Sequence, residues 1–208
     1  MGRYTGPRCR ICRREGVKLF LKGERCFKPS CAIEKREYPP GQHGQSRTKP
    51  TEYGIRLREK QKLRRIYGMH ERPFRKIFTE AERVKGVTGE NLLQLLERRL
   101  DNAVFRLGFA PSRPSARQFV RHGHVRVNGQ NCSMPGRMLR VGDTITIRPS
   151  LHENLILKDS MQAASHRGVA GWLELTAGTF EGKVKQLPTR EDAGAPVNEQ
   201  LIVEFYSR

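Results

Sequence analysis

Four cysteines near the start of the chain, Cys9, Cys12, Cys26 and Cys31, follow the spacing Cys-x2-Cys-x13-Cys-x4-Cys. Two close pairs separated by a loop let four thiolates surround one tetrahedral ion, and a site closed on all four sides is structural, with no position open for catalysis. Zinc suits such a donor set. An iron–sulfur cluster takes the same four thiolates, and spacing alone leaves it open. Arg8, Arg10, Arg13, Arg14, Arg25 and Lys28 flank the cysteines, where they would offset the site's negative charge and lower the thiol pKa values. The alternative is four free thiols, which paired spacing in so polar a segment argues against. Apart from Val17, Leu19, Phe20 and Leu21 the segment has little to bury, so an ion should supply much of its order. Cys132 is isolated and falls outside the set.

The second source of chemistry is charge. The 208 residues contain 40 Lys and Arg against 21 Asp and Glu, a net +19. A compact body so charged repels itself until a polyanion neutralises it, which makes nucleic acid the first candidate partner. The surplus is uneven, since residues 1–150 carry +21 and residues 151–208 carry −2. A membrane surface would call for a basic amphipathic helix with aromatic anchors or a lipidation signal, and neither is present. No apolar run reaches spanning length and the opening residues do not read as a signal peptide, so the expected place is the cytosol. Residues 1–95 hold no Asp-centred active-site motif or nucleotide-binding loop. No catalytic residue is expected and the chain reads as no enzyme.

The candidate RNA contacts spread over several elements. Arg3, Arg8, Arg10, Arg13 and Arg14 lead the chain. A linker over 38–50, with three prolines and two glycines, carries Gln42, His43 and Arg47, donors suited to phosphate and ribose. From Thr51, an N-cap candidate, a helix should run to Gly68 with Ile55, Leu63, Ile66 and Tyr67 on one arc. Arg56, Arg58, Lys60, Lys62, Arg64 and Arg65 fill most of the rest, a wider basic surface than solubility requires. Phe74, Ile77, Phe78, Ala81 and Val84 mark a second helix, read as core packing only, and a Leu-rich third should run unbroken from Thr88 to Gly108.

Residues 97–148 then read helix, helix, hairpin, strand. Ser112 caps a helix that turns Ala116, Phe119 and Val120 inward, while Arg113, Arg117 and Arg121 recur at i, i+4 and i+8. Aligned on one side, the three guanidinium groups would make a phosphate rail, exposed enough that replacing them leaves the fold intact. Gly123 ends the helix after His122, and Val125 and Val127 alternate with His124 and Arg126 before Asn128-Gly129, a strong hairpin signal. The neutral-to-acidic remainder reads as short β segments around Trp172–Leu175 and Gly178–Gly182, with Ala163–Gly171 a surface loop and Gln200–Phe205 a closing strand.

The stretch Glu97-Arg98-Arg99-Leu100-Asp101-Asn102 through Asn128-Gly129 and Arg140-Val141-Gly142-Asp143 resembles the small RNA-binding module named after ribosomal protein S-four. That module also occurs on pseudouridine synthases, tyrosyl-tRNA synthetases and a heat-shock ribosome-rescue protein. The opening Gly2-Arg3-Tyr4, the cysteine set, Pro39-Pro40-Gly41-Gln42-His43-Gly44, Leu57-Arg58-Glu59-Lys60-Gln61-Lys62 and the ending Pro196–Arg208 extend the likeness from end to end, to the bacterial S-four family in its four-cysteine branch. The resemblance implies a structural constituent of the small ribosomal subunit. It further implies a primary 16S rRNA binder at a multi-helix junction, early in assembly of the subunit body, with protein S-five as neighbour and a part in translational accuracy. An RNA-modifying or ribosome-rescue protein with the same module is the alternative, short of a catalytic domain. A zinc-finger transcription factor would need a helix directly after its last cysteine, and Pro39-Pro40 leaves it little room. The expected fold is α+β in four parts: a metal-bound module and linker (1–50), a helical region (51–96) packed with a β return (150–208), and the inserted helix-helix-hairpin module (97–149).

Overall fold

The computed structural model describes residues 4–46, 49–176 and 178–207. The chain divides into two compact units, one formed by 1–91 with 195–208 and the other by 92–194. Residues 195–207 fall in the same unit as the helical region and 150–194 in the other.

In the first unit the cysteine segment forms α1 (Cys9–Glu15), a tight turn at Gly23–Cys26 and α2 (Ala32–Lys35). Ile11, Leu19, Leu21 and Ile33 make its small apolar centre. After the linker come α3 (Glu52–Ile66) and α4 (Glu71–Arg83). Thr51 caps α3 by accepting from the Gly54 N–H, and α4 buries Phe74, Phe78 and Ala81, three positions on one helical face.

The stretch expected to close the chain as a strand is a helix, named α10 (Glu199–Tyr206) once α5 to α9 are placed below. The Asn198 side chain accepts from the Gln200 N–H and starts it, and the helix lies along α3. Helical spacing then sets Ile202 inward and brings Tyr206 against Phe78 and Phe74, ring centroids 4.3 and 6.4 Å apart. A short, largely apolar run interrupted by Glu204 fits strand or helix equally by pattern, and here the cap and the aromatic contact decide. The Tyr206 hydroxyl donates to Glu71 Oε1 at 2.7 Å. Burial first, then the carboxylate's bond and charge, hold this phenol well above its ordinary pKa. Burial also pushes Glu71 up, but bonds from Lys60 and Tyr206 and the charges of Lys60 and Arg64 outweigh it and leave the carboxyl lowered.

The chain passes into the second unit within α5 (Thr88–Glu97), followed by α6 (Leu100–Arg106), α7 (Arg113–Arg121), β1 (Val125–Val127), β2 (Gln130–Asn131), β3 (Thr144–Ile147), α8 (Leu155–Arg167), β4 (Leu173–Leu175), β5 (Glu181–Val184) and α9 (Arg190–Ala193). One antiparallel sheet has the order β2-β1-β3-β5-β4, with Val127 opposite Ile145 and Ile145 opposite Gly182. Asn128 and Gly129, at φ 52° and 77°, make the hairpin turn that their types demand. Residues 150–194 stay with this unit because β5 extends the sheet beyond β3. Leu100, Val104, Phe109, Val125, Ile145, Leu157 and Trp172 belong to one core.

The long third helix of the sequence reading is broken. Arg99 leaves the helical region (φ −69°, ψ 138°) and bridges to Met138, while the Leu100 N–H donates to the Arg137 carbonyl and the Leu139 N–H to that of Arg98. Strand-like partners have replaced helical ones for these backbone groups. Likewise 163–171 is no loop at its start, since α8 reaches Arg167. Gly108 lets α8 approach: at φ 84° any Cβ there would lie 2.2 Å from that of Ala164, and the Ser160 hydroxyl donates to the Gly108 carbonyl at 2.7 Å.

Candidate nucleic-acid interface

Three of the four N-terminal cysteines are buried and Cys9 is half-buried, none of them in a disulfide. Burial first, then the neighbouring cysteines, push the Cys12 and Cys26 thiols up, against the lowering expected from flanking cations; of the cations, Lys18 is the one that draws Cys26 down. Backbone N–H groups of Leu19 and Lys22 serve Cys12 and Cys26 and partly offset this. The four sulfurs thus feel one another. Among the described residues, though, no group of three or more His, Cys, Asp and Glu side chains is arranged to hold an ion.

Of the basic residues expected to line the outer face of α3, Lys60 is buried and Arg56, Arg58, Lys62, Arg64 and Arg65 are half-buried. Arg58 and Arg65 reach Glu15 Oε1 at 3.5 and 2.7 Å, and that carboxylate's side chain is wholly buried. Burial raises its pKa, while Arg58 and Arg65 pull the other way. Buried Lys60 and half-buried Arg64 meet Glu71 at 2.9 and 3.7 Å. Lys62 meets Glu59 at 2.5 Å, and Arg56 lies between Glu52 and Glu204 at 3.2 and 2.8 Å. All six cations are spent on carboxylates of their own unit.

The expected arginine rail of α7 is spent in the same way. Glu97, fully buried, accepts from Asn102 Nδ2 and Arg106 Nε, both at 2.9 Å, and pairs with Arg113 Nη2 at 3.7 Å. Arg113 Nε also donates to Asn102 Oδ1 at 2.7 Å, its guanidinium over the Phe105 ring. Asp101, 4% exposed, takes a two-pronged pair from Arg99 at 3.1 and 2.8 Å and a third donor, Arg117 Nη1, at 2.9 Å. Arg113 and Arg117 thus tie α7 to the α5–α6 corner. A helical period tells which side a residue faces, not that a buried carboxylate waits there.

What remains exposed of the expected contacts is Arg10, Arg14, Gln42, His43, Arg121 and His122. Arg8 is half-buried, and so is Arg13, which donates to the Tyr38 carbonyl and lies over its ring. Arg126 donates to Asn131 Oδ1, and His124 sits half-buried with its ring edge to Phe119. Arg3 and Arg47 lie outside the described residues.

The sequence reading missed the outer face of α4. Arg72, Arg75, Lys76 and Arg83 are exposed there and, with Glu71, Thr79 and Glu80, line an open groove. The signal was present: these positions fall opposite Phe74, Phe78 and Ala81 on the helix, so an inward apolar arc implied an outward basic one.

Residues 3–97 match the family described as the ribosomal protein S4/S9 N-terminal domain, and residues 98–145 match the S4 domain. A Pelobacter propionicus protein named small ribosomal subunit protein uS4 is 58% identical over 208 residues, covering 100% of both chains. Its namesake from Geotalea daltonii is equally similar, and one from Thermus thermophilus is 57% identical over 209 residues, again covering 100% of both chains.

The buried pairs separate structural from surface arginines. Glu97→Gln should cost about 3 kcal/mol, because it leaves two guanidinium groups without their buried counter-charge, and should lower the melting temperature by about ten degrees or more. Arg121→Gln, at an exposed position, should cost under about 0.5 kcal/mol. Thermal melting of the two variants beside the parent checks both; an unmoved Glu97→Gln would show that the clasp does not hold the unit together.

Proposed function

This chain belongs to the S4 family of ribosomal proteins, and we propose that it is a structural constituent of the small ribosomal subunit that binds 16S rRNA and performs no catalysis. One observation carries the reading: 58% identity with a small-subunit protein over the whole of both chains, through the cysteine segment, the helices and the S4 domain alike. Its place is then the cytoplasmic ribosome, and its action is positioning. Exposed cations give affinity through phosphate contacts, and the shape of the folded RNA gives selectivity. The support for RNA contact lies, in the first unit, on Arg10, Arg14 and the α4 face with Arg72, Arg75, Lys76 and Arg83, and, in the second, on the Arg121-His122 end of α7, all exposed. Arg8, Arg13 and Arg126 are half-buried.

Within that reading the protein binds the rRNA early, helps order the body of the subunit and contributes to accurate decoding. The segment 151–208, at −2, suits a basic protein neighbour and not RNA, with small-subunit protein S-five as the partner of choice. Sedimentation of tagged protein from lysate tests the central reading. Co-migration with the small subunit is expected, and a free pool would favour a modifying or rescue protein instead.

The cysteine segment is read as holding one structural ion, zinc before an iron–sulfur cluster. Support comes from the Cys-x2-Cys-x13-Cys-x4-Cys spacing and from a segment with few apolar side chains to order it. The ion would itself draw the sulfurs into a closed set and displace their protons. Elemental analysis should find about one ion per chain, lost in Cys26→Ser and kept in Cys132→Ser. Full occupancy in Cys26→Ser would overturn the assignment.

A further inference from the structure

The loop between α1 and α2 holds two aromatic rings that the fold turns toward water. Phe20 is 38% exposed and Phe27 62%, in a segment with few apolar side chains to spare. The rings stack on each other, centroids 4.8 Å apart and planes 29° from parallel. Phe20 stands at φ 51°, a left-handed conformation that bulky L-residues avoid. Its neighbours Leu19 and Leu21 are both buried and pin the backbone on either side, so the strained residue is held with its ring outward. Buried Cys26 anchors Phe27 in the same way.

Cations flank the pair along the same loop. Lys22, Arg25 and Lys28 are exposed on the same loop, and Glu24 is the one carboxylate among them, 3.5 Å from Lys28. Among the described residues neither Lys22 nor Arg25 has an ion pair. An apolar platform alone would suit any greasy partner. One that shares its loop with exposed cations suits a partner that carries a flat apolar face and a negative charge on the same unit, which describes an unpaired nucleotide.

We infer that Phe20 and Phe27 form a stacking platform for an unpaired base of the rRNA, with Lys22 and Arg25 placed for the adjoining phosphates. Helical RNA hides its base faces, so the base must come from a loop, bulge or junction. Stacking on an aromatic ring tolerates any base and leaves the ion atmosphere almost untouched. The platform therefore adds affinity without adding salt dependence, unlike every arginine contact. This rests on the ribosomal reading above and deepens it.

The test is binding of full-length protein to transcribed 16S rRNA across a salt series. Four proteins are compared: the parent, the double variant Phe20→Leu/Phe27→Leu, the double variant Phe20→Tyr/Phe27→Tyr, and Lys22→Gln/Arg25→Gln. Leucine keeps the apolar bulk but removes the π face. The leucine pair should bind about tenfold more weakly at every salt concentration, with an unchanged slope and an unchanged melting temperature. The tyrosine pair should bind like the parent. The Lys22/Arg25 pair should lose about two units of slope. Photo-crosslinking of 5-iodouridine-substituted rRNA should also mark the peptide that contains Phe27 in the parent. A leucine pair that binds like the parent overturns the platform and leaves the ribosomal reading standing. So does one that loses affinity only with its melting temperature, since the rings would then serve the fold. A parent that does not bind the rRNA overturns both.

Discussion

Two carboxylates with almost no access to water, Glu97 and Asp101, hold the arginines of α6 and α7 and Arg99 at the break before α6. Burying a charge is unfavourable by several kcal/mol unless opposite charges and hydrogen bonds compensate. Here each carboxylate meets at least two cationic or amide donors. A chain at +19 can pack its helices only if its scarce carboxylates stand where cationic side chains converge. The first unit follows the same rule, with Glu15 between α1 and α3 and Glu71 drawing Lys60, Arg64 and Tyr206 together. These pairs define geometry more than they add net stability, because the alternative to pairing is an orphaned charge.

Spending carboxylates inside has an outward consequence. Cations committed to the interior cannot neutralise phosphate, and those left over face outward and, on α4, outnumber the carboxylates that line the groove with them. They gather on the outer face of α4, at the end of α7 and on the loops of the cysteine segment. A partner that carries many phosphates at fixed spacing relieves the repulsion among them, and the strength of that relief depends on salt. The internal ion pairs and the external affinity are two sides of one charge distribution.

Much of this was legible from residue pattern. Helices over 52–66 and 71–83 announced themselves by apolar arcs and a Thr51 cap, and Asn128-Gly129 marked its hairpin, because each depends on neighbours within a few positions. The roles of Arg113 and Arg117 depend instead on Glu97 and Asp101, residues brought near by the break at Arg98-Arg99. That break in turn depends on Pro135–Leu139, whose carbonyls and N–H groups replace the helical bonds. Local pattern holds no trace of such long-range exchanges. The end of the chain misled for the opposite reason: Leu201 to Phe205 is too short for periodicity to tell strand from helix, and only Asn198 and the rings of Phe74 and Phe78 settle it. The glutamate, aspartate and asparagine of the family segment looked like part of an RNA motif and turn out to hold the motif's own arginines.

If the exposed cations bind RNA while the paired ones hold the fold, the two sets respond differently to substitution. The direct measurement is the slope of log affinity against log salt for 16S rRNA, taken for the parent and for a variant with Arg72, Arg75, Lys76 and Arg83 all changed to Gln. Each lost phosphate contact should lower the slope by about one unit, so the variant should lose about three to four units while melting at the parent's temperature. An unchanged slope would contradict the account: the α4 face would then be merely solvated, and the charge that meets the RNA would have to come from the arginines assigned here to the interior.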